Sequence, residues 1–183
     1  MTDYGLLAKQ IVSLAEVDAH WLPVLSNAAA LLWDALDDIN WAGFYLVDSA
    51  TVVGSGAEPD AGAAPSTGAA PSTHELRTPE LRLGPFQGKV ACVRIPFGRG
   101  VCGTAAATKT SQLVEDVHQF PGHIACDSAS NSEVVVPIFK DGQVVGVLDI
   151  DSPNVARFTQ EDLAGLEQVV KALESYTNFS AFC

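Results

Sequence analysis

The sequence contains few basic residues. Ten Lys and Arg stand against 22 Asp and Glu, which gives a formal net charge of −12 at pH 7. Nucleic acids and anionic membrane surfaces are bound by basic patches, so this balance argues against both as partners. Long apolar runs are missing too, and neither a membrane-spanning segment nor an N-terminal signal peptide is recognisable. These absences predict a cytoplasmic protein with no nucleic acid and no membrane among its partners.

Cysteines are also few, and their spacing is irregular. The four cysteines stand at positions 92, 102, 126 and 183, and no two of them form a Cys-x-x-Cys pair. A zinc site built from Cys92, Cys102, Cys126 and a histidine therefore lacks the usual ligand spacing. Because disulfides are rare in the cytoplasm, we expect resting thiols that are catalytic, metal-binding or inert. We expect neither a bound metal nor another cofactor.

The remaining composition is that of one globular domain with an unusual internal segment. Hydrophobic residues make up 48% of the 183 residues, whereas residues 54–78 carry Gly-Ala-Ala-Pro-Ser-Thr twice in succession, at 62–67 and 68–73. Ala, Pro, Ser and Gly bury too little apolar area to offset the entropy of ordering the chain. We therefore predict a single domain over residues 1–183, with a flexible insertion at 54–78 between two neighbouring strands.

Apolar periodicity predicts helices at both ends of the chain and strands between them. Helices are predicted over residues 3–17 and 23–38 and after Thr159, which forms a capping box with Asp162. The predicted strands are 41–47, 81–86, 91–95, 112–114, 134–140 and 143–151. The last two flank Asp141-Gly142, a dipeptide suited to a type I′ hairpin turn. This order predicts an α+β domain in which an antiparallel sheet is flanked by helices at the chain termini.

The hairpin concentrates chemically active side chains. Asp149 and Asp151 share one face of its second strand, because side chains alternate along a strand. Two carboxylates at the end of an otherwise apolar strand either coat a solvated face or line a polar pocket. Cys126 and Glu133 lie just upstream, in a predicted loop that the hairpin holds near the strand ends. A thiol and several acids on one supersecondary unit indicate a reactive site.

Cys102 is a second candidate thiol. It lies in a glycine-rich turn, residues 98–103, that leads into an alanine-rich predicted helix. Backbone amides at the start of a helix stabilise an anion or a thiolate, and on this argument Cys102 is the most activated thiol of the chain. The alternative is that the glycines allow close packing and Cys102 is a small apolar filler.

Seven short motifs carry a resemblance to a known family. They are Asn-Trp-Ala-Gly-Phe-Tyr (40–45), Leu-Gly-Pro-Phe-Gln-Gly-Lys (83–89), Ala-Cys-Val-Arg-Ile-Pro (91–96), Gly-Arg-Gly-Val-Cys-Gly-Thr-Ala (98–105), Gly-His-Ile-Ala-Cys-Asp (122–127), Ser-Asn-Ser-Glu (130–133) and Gly-Val-Leu-Asp-Ile-Asp-Ser (146–152). Together they resemble the free methionine-R-sulfoxide reductases, which are single GAF domains. The resemblance runs from the second predicted helix to the last. The insertion is the departure, because the family usually has a short connection there.

The resemblance implies an activity and a role for each site residue. It implies that Cys126 attacks the sulfoxide of free methionine-R-sulfoxide, that Cys92 is its resolving partner and that Cys102 is an auxiliary thiol. The reaction would pass through a cysteine sulfenic acid and a disulfide, which thioredoxin then reduces. The pattern alone makes the aromatic residues of strand 41–47 plain core. The residues implied to bind substrate are Trp41, Tyr45, Glu133, Asp149 and Asp151.

Two other functions stay open at this point. A non-catalytic GAF domain that binds a small ligand would keep the fold and the pocket, although it has no need of three positioned cysteines. A thiol-based redox sensor shares its chemistry with the reductase, and turnover of methionine sulfoxide would separate the two. The oligomeric state is open as well, with a homodimer among the options.

Overall fold

The computed structural model describes residues 2–48, 79–124 and 128–181. In these ranges the chain forms six strands and four α-helices, with short 3₁₀ helices at Val117–Gln119 and Phe179–Ala181. The strands are β1 (Trp41–Val47), β2 (Glu80–Gly88), β3 (Arg94–Pro96), β4 (Gln112–Val114), β5 (Ser132–Lys140) and β6 (Gln143–Ser152). The helices are α1 (Tyr4–Val17), α2 (Trp21–Ala35), α3 (Gly100–Thr108) and α4 (Gln160–Tyr176).

The strands form one antiparallel sheet in the order β3-β2-β1-β6-β5-β4. Helices α1 and α4 pack on each other, α4 packs on β5, and α2 packs on β1 and β2. Helix α3 packs on the sheet against β3, β5 and β6. The predicted α+β architecture, an antiparallel sheet flanked by terminal helices, is confirmed. Among the helices of the described ranges, none has the length and hydropathy that crossing a membrane requires.

Local capping signals set the helix starts. The Asp3 carboxylate accepts a hydrogen bond from the Leu6 amide and begins α1 as predicted. The capping box of Thr159 and Asp162 is present at the start of α4. Helix α2 begins two residues before the predicted Pro23, because the His20 side chain accepts from the Leu22 amide at 3.2 Å. Pro23 then lies in the first turn, where a missing amide hydrogen costs no helical hydrogen bond.

The central hairpin follows its predicted turn chemistry. Asp141 and Gly142 adopt φ values of 50° and 76°, as a type I′ turn requires at both central positions. Strand β5 begins earlier than predicted, at Ser132, because its pairing with β6 extends to Ser132 opposite Ser152. Glu133 therefore lies in a strand, whereas the prediction placed it in a loop. This difference fixes the direction of the Glu133 side chain.

Strand β3 is shorter than predicted and starts later. Its pairing with β2 runs only from Arg94 to Pro96, so residues 91–93 form a loop before the strand. Val93 therefore precedes the strand and is 65% exposed, whereas Ile95 within it is 3% exposed. The strand is the edge of the sheet, and it has a pairing partner on one side only among the described residues.

The two faces of the sheet bury different side chains. Alternation along β6 directs Leu148 and Ile150 into the core beneath α1, α2 and α4. Val147 points to the opposite face and belongs to the apolar cluster that includes Val101 and Cys102 of α3. Apolar burial under the three long helices stabilises the sheet at about 25 cal/mol per Å². Because the core is buried under the long helices, the opposite face of the sheet, which α3 covers, can carry polar side chains.

The insertion joins β1 to β2, which are hydrogen-bonded neighbours as predicted. Residues 54–78 themselves, and with them the prediction of a flexible loop, lie outside the described residues.

We predict that deleting residues 57–73 leaves the fold intact. The deletion removes roughly half of the connection between β1 and β2, and halving a loop changes its closure free energy by only about 0.6 kcal/mol. A domain of this size would then shift its melting temperature by about 2 °C. Differential scanning calorimetry of the two proteins measures the shift. A fall several times larger would show that the repeat packs on the domain.

Candidate active site

A small cavity lies between the start of α3 and the sheet. It has a volume of about 20 Å³, close to the space that one water molecule needs. The residues that line it are Ile95, Gly100, Val101, Cys102, His123, Ile124, Ser130, Glu133, Asp149 and Asp151. The structure thus brings together the three predicted acids and one of the predicted thiols.

The register of the sheet explains why the acids meet. Asp151 of β6 lies opposite Glu133 on one neighbouring strand and opposite Trp41 on the other. Asp149, two residues earlier on the same face, lies opposite Val135 and Gly43. All three carboxyl groups are buried, with 5% to 7% of each residue exposed. Of the two alternatives left open for Asp149 and Asp151, their burial and their place in the cavity lining favour the polar pocket.

The two aromatic residues lie beside the acids but outside the cavity lining. The Trp41 ring stacks between Tyr45 and Phe86, with centroid distances of 5.6 and 5.3 Å, and its Nε1 donates to the Lys89 carbonyl at 3.2 Å. Gly43 permits this placement, because a Cβ there would lie 2.7 Å from Cη2 of Trp41. Trp41 and Tyr45 are 2% and 1% exposed. In this structure they support the acids from the same sheet face.

Burial keeps a proton within the carboxyl cluster. It raises the pKa of Glu133 well above its usual range, and the charges of Asp149 and Asp151 raise it further. Burial also raises the pKa of Asp149, to about 6, although hydrogen bonds from Cys102 and Glu133 oppose this rise. At neutral pH the stable arrangement is therefore a protonated Glu133 that donates a hydrogen bond to an ionised Asp149.

Cys102 is a neutral thiol in this environment. Its side chain is buried, and its Sγ donates to Oε1 of Glu133 at 3.8 Å. Burial, followed by the charges of Asp149 and Glu133, raises the pKa of the Cys102 thiol well above its usual range. The helix-terminus argument, which predicted an activated thiolate, is wrong. A helix start contributes about 0.3–1 kcal/mol, and desolvation beside carboxylates outweighs it.

One carboxylate oxygen in the cavity is unsatisfied. Among the described residues Oδ1 of Asp149 is buried and has no hydrogen-bond partner. A buried polar atom without a partner is costly, so a ligand with a positively charged donor would be favoured there. The only ring nitrogen base among the lining residues is His123, and burial, followed by the charge of His118, lowers its pKa. Among its described lining residues the site is therefore acidic and has no Lys or Arg to compensate the carboxylates.

The same side chains have the spacing of metal ligands. The ligating atoms of Cys102, Glu133 and Asp149 lie within 4.8 Å of one another. Metal binding needs deprotonated ligands, whereas the raised pKa values keep protons on Cys102 and Glu133 at neutral pH. The donor set therefore favours an uncharged or cationic organic group over a metal ion.

The predicted redox cysteines are only partly described. Cys92 lies in the loop before β3, is partly buried and is disulfide-bonded, whereas Cys102 is free. Cys126, the predicted attacking thiol, lies outside the described residues, as does Cys183.

Sequence reasoning did not select every lining residue, and among those it missed are His123, Ile124 and Ser130. Ser130 is 4% exposed and accepts a hydrogen bond from the Asn40 amide at 3.0 Å. The signal was available, because these residues fall inside the Gly-His-Ile-Ala-Cys-Asp and Ser-Asn-Ser-Glu motifs.

Comparisons with known proteins show the family of this chain. Residues 23–175 match the GAF domain family. The free methionine-R-sulfoxide reductase of Escherichia coli is 47% identical over 171 residues, which cover 93% of this chain and 86% of the relative. This chain belongs to the free methionine-R-sulfoxide reductase family of GAF domains.

Solved structures of that family superpose on nearly the whole chain. One is fRMsr of Staphylococcus aureus in complex with substrate, with a TM-score of 0.77, 47% identity and coverage of 97% of each chain. Another is free methionine-R-sulfoxide reductase from Neisseria meningitidis in complex with its substrate. Its TM-score is 0.76 at 40% identity, and the match covers 94% of this chain and 87% of the other.

We predict that the folded protein becomes less stable as the pH rises, because its buried carboxyl groups lose their protons. A carboxyl whose pKa is higher in the folded state binds its proton more tightly there, so stability is lost as the pH rises from the unfolded to the folded pKa. For Asp149 this window runs from 3.8 to about 6. Relative to the parent, Asp149→Asn should therefore gain about 3 kcal/mol between pH 4 and 7 and level off above pH 6. Glu133→Gln should continue to gain at higher pH.

Denaturant unfolding from pH 4 to pH 9 measures both gains. Glu115→Gln, at an exposed acid, is the matched control. If the gains of both variants level off at the same pH, the assignment of the retained proton to Glu133 is wrong.

Proposed function

We propose that this chain reduces free methionine-R-sulfoxide to methionine. The observation that carries the proposal is the buried pair of Glu133 and Asp149, in which a protonated acid lies beside a carboxylate with an unsatisfied oxygen. A protonated acid suits a sulfoxide oxygen, and a buried carboxylate suits an ammonium group. The family relatives with substrate complexes support the same substrate for this chain.

Both charges of a free amino acid have candidate partners around the cavity. The α-ammonium would bind Asp149, with Asp151 as the second acid on the same strand face. The α-carboxylate would accept hydrogen bonds from first-turn amides of α3, because Arg99 supplies no side-chain cap there and Val101 lines the cavity. The cavity volume of about 20 Å³ is smaller than an amino acid. We therefore propose that the walls separate when the substrate binds.

The proposed chemical step transfers the sulfoxide oxygen to a cysteine. The Cys126 sulfur attacks the substrate sulfur while Glu133 donates its proton to the sulfoxide oxygen. The oxygen, with the proton from Glu133, then passes to Cys126 as a sulfenic acid, while the substrate's sulfur–oxygen bond and the transient sulfur–sulfur bond both break. The proton that the Cys126 thiol gave up returns to Glu133. Methionine sulfur gains two electrons and the cysteine sulfur loses two. Asp149 remains ionised and holds the ammonium throughout.

A second cysteine then removes the sulfenic acid. The Cys92 thiol attacks Cys126, a disulfide forms and water leaves. The disulfide-bonded state of Cys92 supports this role, because a resolving cysteine must pair with another cysteine. Two electrons from an external dithiol, for which we propose thioredoxin, restore both thiols. Cys102 would act only as an auxiliary thiol, because its raised pKa makes it a poor nucleophile.

The aromatic residues complete the proposed site. When the walls separate, the stacked Trp41 and Tyr45 rings, which adjoin the acids in the sheet register, would contact the apolar end of the substrate. A methyl group packs well against an aromatic face, whereas a charged group would be desolvated there.

We predict that replacing each of the two redox cysteines stops the reaction at a different step. Cys126→Ser should form no methionine even in a single turnover, because no sulfenic acid can form. Cys92→Ser should release about one methionine per enzyme and then stop, since only recycling is lost. Rapid-quench assays with enzyme in excess, analysed by chromatography, measure both. Normal turnover by Cys126→Ser would refute the assignment of the attacking thiol.

We predict that the enzyme accepts only the free amino acid. A site that pairs an ammonium with Asp149 leaves that carboxylate unpaired when the substrate nitrogen is acetylated, which should lower kcat/KM by about 10⁴-fold. The S epimer directs its oxygen away from Glu133 and should also be inert. Comparing free, N-acetylated and amidated sulfoxides of both configurations tests this.

The alternatives predict other outcomes in the same assay. A GAF domain that only binds a ligand would show affinity for free methionine sulfoxide without product formation. A redox sensor would be oxidised by peroxide without turning over methionine sulfoxide. Comparable rates on the blocked and the free substrate would contradict the proposed substrate while leaving the reductase chemistry in place.

A further inference from the structure

The loop before β3 exposes apolar side chains next to the disulfide-bonded cysteine. Val90 is 87% exposed and Val93 is 65% exposed, and Cys92 lies between them in the chain. Cys92 itself is partly buried and disulfide-bonded. The two valines thus expose apolar area on either side of this cysteine in the chain, and exposed apolar area beside a disulfide suits contact with another protein. We refer to Val90, Cys92 and Val93 as the Val90–Val93 surface.

We propose that the Val90–Val93 surface docks a dithiol reductant protein, which attacks the Sγ atom of Cys92. The proposal rests on the proposed function, since it describes how the oxidised enzyme is recycled. The occupant is a protein whose reactive dithiol lies within an apolar surface. The two valines would pack against that apolar surface and place the attacking thiolate on Cys92.

The position of the loop in the fold suits such a partner. Strand β3 is at the edge of the sheet, so the loop before it is open to an approaching protein. The carbonyl of Val93 accepts from the Leu83 amide at 3.0 Å, which ties the loop to β2. The valines are therefore presented on a backbone that the sheet holds in place, which lowers the entropy cost of docking.

The charges near this loop are more balanced than those of the chain as a whole. The net charge of −12 repels other acidic proteins. Here, however, Asp48 forms ion pairs with Arg82 and Arg94, and Arg94 also pairs with Glu80. Lys89 adds a positive charge beside Val90. Repulsion of an acidic partner is therefore weaker at this loop, and apolar contact can decide the association.

Reduction of the disulfide at Cys92 consists of two successive thiol–disulfide exchange steps. The partner's thiolate forms a bond to Cys92 Sγ, and the bond from Cys92 to its present partner cysteine breaks. That cysteine leaves as a thiolate and takes up a proton. The second thiol of the reductant then attacks its own bonded sulfur and releases Cys92 as a thiol. Two electrons and two protons pass from the dithiol to this chain, and the attacking cysteine is regenerated first.

The test measures reduction of the oxidised protein and does not depend on methionine sulfoxide. Reduced thioredoxin is mixed with the oxidised enzyme, and the fluorescence of thioredoxin reports its oxidation. The double variant Val90→Ser, Val93→Ser should lower the second-order rate constant by about tenfold, the effect of losing about 1.4 kcal/mol of docking. Reduction by dithiothreitol, which needs no docking, should stay within about twofold of the parent.

Val17→Ser is the matched control, because Val17 is 88% exposed on α1 and lies outside the loop. It should leave both rates unchanged. An unchanged thioredoxin rate in the double variant would overturn the docking proposal, and so would an equal loss in Val17→Ser. A parallel loss of the dithiothreitol rate would also overturn it, because the disulfide itself would then have changed.

A trapping experiment identifies the sulfur that is attacked. A thioredoxin whose second cysteine is replaced by serine stops at the mixed disulfide, and peptide mapping should recover it on Cys92. Recovery on Cys126 would refute attack at Cys92. Production of methionine by the same double variant in a single turnover tests the proposed function separately, and should match the parent whether or not docking is impaired.

Discussion

The structure depends on the burial of three carboxyl groups beneath a short helix. Glu133, Asp149 and Asp151 lie on one face of the β5–β6 hairpin, and each is at least nine-tenths buried. Burying carboxylates together is unfavourable unless a proton is retained or a cation arrives. The cluster meets the first condition through Glu133, whose pKa is raised by burial. Oδ1 of Asp149, which has no partner among the described residues, would be satisfied by a cationic ligand.

The rest of the fold supplies the stability that this cluster removes. The sheet face opposite the acids is covered by α1, α2 and α4, where Leu148 and Ile150 are completely buried. These apolar side chains alternate with Asp149 and Asp151 along one strand, so the same ten-residue β6 strand provides core and site. A one-residue shift in the pairing of β5 with β6 would exchange the apolar and the acidic side chains between the two faces. The type I′ turn at Asp141-Gly142 holds the two strands in the observed register.

Much of this arrangement could be predicted from local sequence signals, and the exceptions have a common physical origin. The hairpin, the shared face of Asp149 and Asp151 and the Thr159 capping box depend on neighbours in sequence, and all were confirmed. The ionisation of Cys102 could not be predicted, because it depends on carboxyl groups brought near α3 by tertiary packing. The position of Trp41 outside the cavity lining likewise depends on Gly43 and Phe86.

The separation of the cysteines between two environments is the final consequence of this packing. Cys102 is buried beside Glu133, and its raised pKa keeps it a thiol that resists oxidation. Cys92 lies in a partly exposed loop at the edge strand and is disulfide-bonded. Reduction by another protein requires access to a sulfur atom, whereas proton retention by acids requires exclusion of water. One position cannot provide both, and in this fold the buried acids lie under α3 while the disulfide-bonded Cys92 lies before the edge strand.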